Sequence, residues 1–226
     1  VSLKGKRLYG LLLAIVFYIF VSDFGAEILS EFMSKNPGVL TVALLAGLPA
    51  VISLFLLKDN FKSDFMTIRK RKRQLWLIPI YFVLTTITAL VLGNIFTASS
   101  TNQSGLEKVT QLEPYNMIAM VLVMIVFGPI MEEIIMQYFI QRLLKKGLLN
   151  LKVKPVWASI IAIIIATIVF MLFHMDNLKD ITDLSILSYG DLIFFGIIYE
   201  RSHENLTYAI ILHGLMNVLA FLSLIF

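Results

Sequence analysis

Seven stretches of this chain are apolar for long enough to approach the width of a lipid bilayer, and nothing else in the sequence narrows its possible folds so far. They run over residues 8–22, 39–57, 75–96, 117–140, 156–173, 184–199 and 206–226. A hydrocarbon core of ~30 Å takes about 20 helical residues to cross, and it holds no water to satisfy a bare backbone. Each such segment must therefore close its hydrogen bonds within itself, as a helix. The first and sixth are the shortest. With 58% hydrophobic and only 15% charged residues, the chain lacks the polar surface that would clothe a soluble globule. The expected architecture is an all-α, polytopic transmembrane bundle of about seven membrane helices. One transmembrane domain spans 1–226, with N-terminal helices over 1–116 and the chemistry concentrated in 117–226.

Charge records topology. Basic residues cluster in 58–73, including the run Arg69, Lys70, Arg71, Lys72 and Arg73, and again as Arg142, Lys145, Lys146, Lys152 and Lys154. The alternate connections carry Asp23, Glu27 and Glu31, then Asp176, Asp180 and Asp183. The basic loops face the cytoplasm, which puts the N-terminus inside and the C-terminus outside. Lys4, Lys6 and Arg7 precede the first apolar stretch with no small-residue cleavage site after it, so an anchoring helix is expected there. Residues 97–116, rich in Ser, Thr, Asn and Gln, read as a long external loop. The net charge of +4 fits contact with membrane lipids and gives no reason to invoke nucleic acid. The absence of cysteine excludes disulfides, a thiol nucleophile and a cysteine-bound metal.

Against this apolar background Glu132 and Glu133 stand side by side within the fourth stretch. An ionised acid near the middle of a bilayer costs roughly 2.5 to 3.5 kcal/mol on insertion scales, so the pair must face water, protein or each other. Gly128 and Pro129 come one turn earlier, and an intramembrane proline frees a carbonyl and bends its helix. Glu133 and Gln137 share a helical face, while Glu132 points about 100° away, so the two acids need not do the same job. At the end of the fifth stretch Phe170 and His174 share a face. In the seventh, His213 and Asn217 are four apart with Gly214 beside them, placed either for chemistry or to glue helices by hydrogen bonds.

Glu-Glu, Phe-x-x-x-His and His-x-x-x-Asn, in this order on three apolar helices, resemble the family of CAAX-processing and bacteriocin-processing membrane proteases (CPBP, or Abi, proteins). The resemblance covers roughly 128–220 and includes 194–201 and 206–217, which look like the last two core helices of that family. It implies an intramembrane, metal-independent glutamic endopeptidase without cofactor, acting on a peptide or membrane-protein substrate. It also implies a polar cavity between the fourth, fifth and seventh helices. Glu132 would be the general base that activates water with His174, Glu133 would orient it, and His213 and Asn217 would stabilise the oxyanion. A compact chain of this kind fits a bacterial cell membrane.

One position departs from the family pattern. Where the family has Glu-Glu-x-x-x-Arg, this chain has Gln137, which can hydrogen-bond Glu133 but cannot neutralise it. Arg142 lies about 13 Å further along the helix, too far to stand in. The alternative reading is a catalytically silent relative that serves bacteriocin immunity or binds a membrane partner. Two histidines and a glutamate also make a zinc donor set, though no His-Glu-x-x-His pair is present, and a proton-relaying transporter would use the same polar inventory. Counted inward from Arg142, Val156 and Asn205, Glu132 lies about 15 Å deep, His213 about 12 Å and His174 about 27 Å. That count leaves His174 out of level with the other two.

Overall fold

All regular structure among the described residues is helical. The computed structural model describes residues 5–33, 39–96, 114–175, 179–182 and 184–225. Helices α1 (Lys6–Met33) and α2 (Val39–Leu56) are followed by the shorter α3 (Lys58–Lys70), a 3-10 turn (Lys72–Trp76) and α4 (Leu77–Ile95). A continuous helix over 114–150, α5, pairs with α6 (Pro155–Phe173). After a helical turn at Lys179–Thr182, a 3-10 segment (Ser185–Leu192) leads into α7 (Ile193–Arg201), and the final helix is α8 (Leu206–Ile225). The external loop expected over 97–116 lies outside the described residues as far as residue 113.

Four helical stretches among the described residues are long and apolar enough to cross a membrane: Lys72–Ile95, Met117–Asn150, Pro155–Phe173 and Leu206–Ser223. A fifth is added if α2 and α3, which meet at a 72° bend, form one broken span. The number falls below the expected seven, and the sixth apolar stretch shows one reason. It is a 3-10 segment followed by the nine-residue α7, and nine residues of α-helix rise only about 14 Å. Three expected loops are also largely helical. The helix α1 continues through residues 23–31, where an acidic loop was expected. In α3 the residues turned inward, Phe61, Asp64 and Ile68, continue a helical stripe from buried Leu57, while Lys58, Lys62, Arg69 and Lys70 are exposed. The third is the basic stretch after Gln141, which extends α5 to Asn150.

At the centre stands α5, packed against α2, α6, α7 and α8. Its Met131, Ile134 and Met136 are buried with Phe170 of α6, Phe195 and Ile198 of α7 and Leu212 of α8. Burying each such side chain contributes about 1.5–3 kcal/mol relative to water, though part of that gain is made on entering lipid. Close packing must then select the arrangement. Along α6 the buried residues Ala158, Ala162, Ala166 and Phe170 recur every fourth position; small side chains let the backbones approach, and the next place on that stripe is His174. Of α4 only Thr85 is buried, and its exposed Ile80, Val83, Ile87 and Leu90 suit a lipid-facing surface.

Helix lengths remove the depth mismatch. Counted from the α5–α6 turn, Glu132 lies about 27 Å from Asn150 and His174 about 28 Å from Pro155, so the two are level. Counting from Arg142 misplaced them because α5 continues well past that residue. The α7–α8 turn is set further in. Lys145 Nζ lies 2.7 Å from Glu200 Oε1 and 2.9 Å from Glu204 Oε1, and Arg142 Nε lies 3.5 Å from Glu204 Oε2. From that anchor Glu132 and His213 are each about 13–15 Å along their helices.

The start of α8 is doubly capped. Asp64 Oδ2 accepts from the Leu206 N–H at 3.0 Å, and Asn205 Oδ1 accepts from the Thr207 N–H at 3.1 Å. Asn205 Nδ2 in turn donates to the Asp64 carbonyl at 3.1 Å, which fastens α3 across the end of the bundle. Burial pushes the Asp64 carboxyl up to about 6, against the opposing pull of its bonds from the Leu206 and Thr207 backbone.

Candidate active site

The backbone of α5 is irregular on both sides of the acid pair, with π-helical turns at Val123–Phe127 and Ile134–Gln141. The first follows from its sequence. The Gly128 N–H bonds to the Val123 carbonyl, five residues back, so the Met124 carbonyl loses its α-helical donor. In the π register its donor would be residue 129, which is proline and has no N–H. Asn217 Nδ2 of α8 fills the gap, donating to Met124 O at 2.8 Å. Gly214 makes this approach possible, because a Cβ there would lie 3.0 Å from the Ile125 carbonyl oxygen.

One turn later Glu132 and Glu133 diverge, as their spacing requires. Glu133 is fully buried, and its Oε1 lies 2.9 Å from His213 Nδ1. Glu132 retains slight exposure and presents its Oε2 to two imidazoles, 3.6 Å from His213 Nε2 and 3.9 Å from His174 Nε2. Its Oε1 accepts a hydrogen bond from the Tyr18 hydroxyl at 3.0 Å. His174 sits at the C-cap of α6, with Nδ1 3.0 Å from the Phe170 carbonyl. A carbonyl only accepts, so Nδ1 carries the proton and the lone pair of the neutral ring is on Nε2.

Both rings thus use Nδ1 as an anchor and turn Nε2 toward the same carboxylate oxygen. The 3.6 and 3.9 Å separations exceed a direct hydrogen bond. Polar atoms less than about 5.6 Å apart can, however, share one atom within hydrogen-bonding distance of each. Aromatic side chains fix the imidazole planes: Phe195 stacks on His213 at 4.6 Å and 17°, and Phe170 contacts both His213 and His174 at 5.8 and 5.1 Å. Tyr189 also lies against His174, with ring centroids 5.4 Å apart.

Glu132, Glu133, His174 and His213 are therefore brought together. Asn217 lies one turn beyond His213, with one N–H committed to Met124 and the other left for a further acceptor. Gln137 is buried with its Oε1 unpaired. The side chain that faces Glu133 where an arginine was expected comes from another helix, as His213. Arg142 is engaged with Glu204 and stacked over Tyr138 at 4.8 Å. Two residues near the site were not expected. Tyr18 belongs to the N-terminal region, and Asp191, on the 3-10 segment, adds a carboxyl whose charge acts on His213. Among the described residues no group of three or more His, Asp or Glu side chains is arranged to hold a metal ion.

Residues 114–219 match the model of the family Type II CAAX prenyl endopeptidase Rce1-like. No curated protein and no solved structure matches the chain. Residues 114–219 thus form an Rce1-like domain of the CPBP family, a family of membrane endopeptidases, and the described residues include four or five spans long and apolar enough to cross a membrane.

Proposed function

We propose that this chain, with its Rce1-like domain, is a metal-independent glutamic endopeptidase that cleaves peptide bonds within or at the surface of the membrane. The observation that carries the reading is the convergence of two imidazole Nε2 atoms on Glu132 Oε2, 3.6 and 3.9 Å away. A water held between Glu132 and His174 gives a proton to Glu132 as its oxygen attacks the scissile carbonyl carbon. The carbonyl oxygen becomes an oxyanion, which accepts from the Nε2–H of protonated His213 and from the free N–H of Asn217. Collapse breaks the C–N bond, and Glu132 returns its proton to the leaving amine. A positioned general base supplies typically 10²–10⁴-fold in rate, and each oxyanion donor a few kcal/mol. Glu133 holds the Nδ1–H of His213 and so sets its tautomer and favours its charge.

The substrate is a peptide or membrane-protein segment, and we place the protein in a bacterial cell membrane with α1 entering from the cytoplasm. Gln137 favours a second reading, a silent relative that keeps the fold for immunity or partner binding. The Glu133–His213 pair weighs against it, since Glu133 has a partner able to carry positive charge without the arginine. Cleavage of membrane peptides by the reconstituted protein, unaffected by chelators and abolished by Glu132→Ala, is the expected result. Inhibition by chelators reversed by zinc would make it a metal enzyme, and full cellular function of Glu132→Ala with no cleavage would establish the silent reading.

A further inference from the structure

The family match begins at residue 114, yet a side chain from α1 reaches the acid pair. Leu11, Ala14, Ile15, Tyr18 and Val21 are all buried and recur at helical spacing, so the stripe that seats α1 on α2 also fixes where Tyr18 points. Its hydroxyl donates to Glu132 Oε1 at 3.0 Å. Space for that contact is kept by Gly128, where a Cβ would lie 3.4 Å from Glu132 Oε1 and 3.9 Å from the Tyr18 oxygen. A carboxylate on a glutamate turns easily about its last bond. With one oxygen held by a phenol, the other keeps a single direction.

We propose that Tyr18 is a positioning residue for Glu132, holding Oε1 so that Oε2 stays turned toward His174 and His213. The inference rests on reading Glu132 as the base. It makes α1 a part of the site, and the matched domain incomplete without it. A group that only orients the base acts on turnover more than on substrate binding, since misdirecting a reacting atom lowers the population of productive complexes.

The test uses the full chain in phosphatidylcholine liposomes with an internally quenched prenylated peptide as probe. Tyr18→Phe keeps the ring and removes the donor; kcat is expected to fall about tenfold with KM unchanged. A fluorine label gives a readout independent of turnover: the resonance of 3-fluorotyrosine at position 18 is expected to shift on Glu132→Ala. Unchanged kcat in Tyr18→Phe, with Glu132→Ala inactive, overturns the role of Tyr18 and leaves the protease reading standing. Wild-type turnover in Glu132→Ala, or an inert wild type, overturns both. Should Tyr18→Phe fail to fold, a fluorine resonance indifferent to Glu132→Ala overturns the contact itself.

Discussion

Replacing Glu133 by glutamine removes one charge from a site where nothing screens it. The carboxylate is fully buried and meets His213 Nδ1 at 2.9 Å, so the bond is of the charged kind that contributes about 1.5–3 kcal/mol. At 1.36 kcal/mol per decade of rate, its loss corresponds to a roughly 10- to 150-fold fall in kcat. The ring itself stays in place, because Phe195 stacks on it at 4.6 Å and Phe170 abuts its edge. What is lost is the preference for a proton on Nδ1 and for positive charge on the ring, both needed for Nε2 to donate to an oxyanion. KM should therefore hold while kcat falls. Glu133→Asp, shorter by about 1.5 Å per methylene, should lose a comparable amount by opening the contact beyond hydrogen-bonding distance. Steady-state kinetics of the liposome-reconstituted variants on a quenched peptide decide the matter. A Glu133→Gln enzyme within twofold of wild type, or one whose loss appears in KM alone, would refute the idea that Glu133 works through His213.

Two further outcomes concern the scaffold. Gly214→Ala places a Cβ 3.0 Å from the Ile125 carbonyl and must push α8 from α5, carrying His213 and Asn217 with it. A loss of about 1–3 kcal/mol in stability, together with reduced turnover, is expected, whereas Gly93→Ala, which meets nothing within 4 Å, should be neutral or slightly stabilising in thermal unfolding. Asp64 supplies a pH dependence. Its folded value of about 6 lies above the ordinary 3.8, so the folded state binds the proton more tightly than the unfolded one. The contribution is fully present below pH ~4 and is lost as pH rises through about 6. Screening of this half-buried group reduces the effect to roughly 1 kcal/mol. Asp64→Asn, which keeps an acceptor for the Leu206 N–H, should lack that slope between pH 4 and 6 in unfolding measurements, and identical slopes in the two proteins would refute the assignment.

What could be read from the sequence follows from which interactions are local. His174 is legible because it ends the fifth apolar stretch on the same face as Phe170, and His213 with Asn217 because four-residue spacing puts both on one face. The acid pair announces itself by cost. The bond from Asn217 to Met124 was out of reach, since it depends on a π-helical turn that Gly128 and Pro129 permit but do not dictate. Tyr18 was equally hidden: an aromatic residue on a membrane helix is ordinary, and its partner is 114 positions away. Loops inferred from charge proved helical because amphipathic helices such as α3 and the end of α5 carry basic residues on one face and apolar residues on the other. The expected count of seven spans assumed that each apolar stretch is one straight helix. The bend between α2 and α3 and the 3-10 segment before α7 break that assumption.

The most direct test of the proposed chemistry is the turnover of Glu132→Ala beside wild type, both reconstituted in liposomes, on one panel of membrane and prenylated peptides in the presence of a chelator. If Glu132 is the base toward which both imidazoles are turned, wild type cleaves under these conditions and the variant loses at least about 100-fold in kcat while remaining folded. Equal cleavage by the two proteins, or wild-type cleavage that stops with the chelator and returns with zinc, would contradict it.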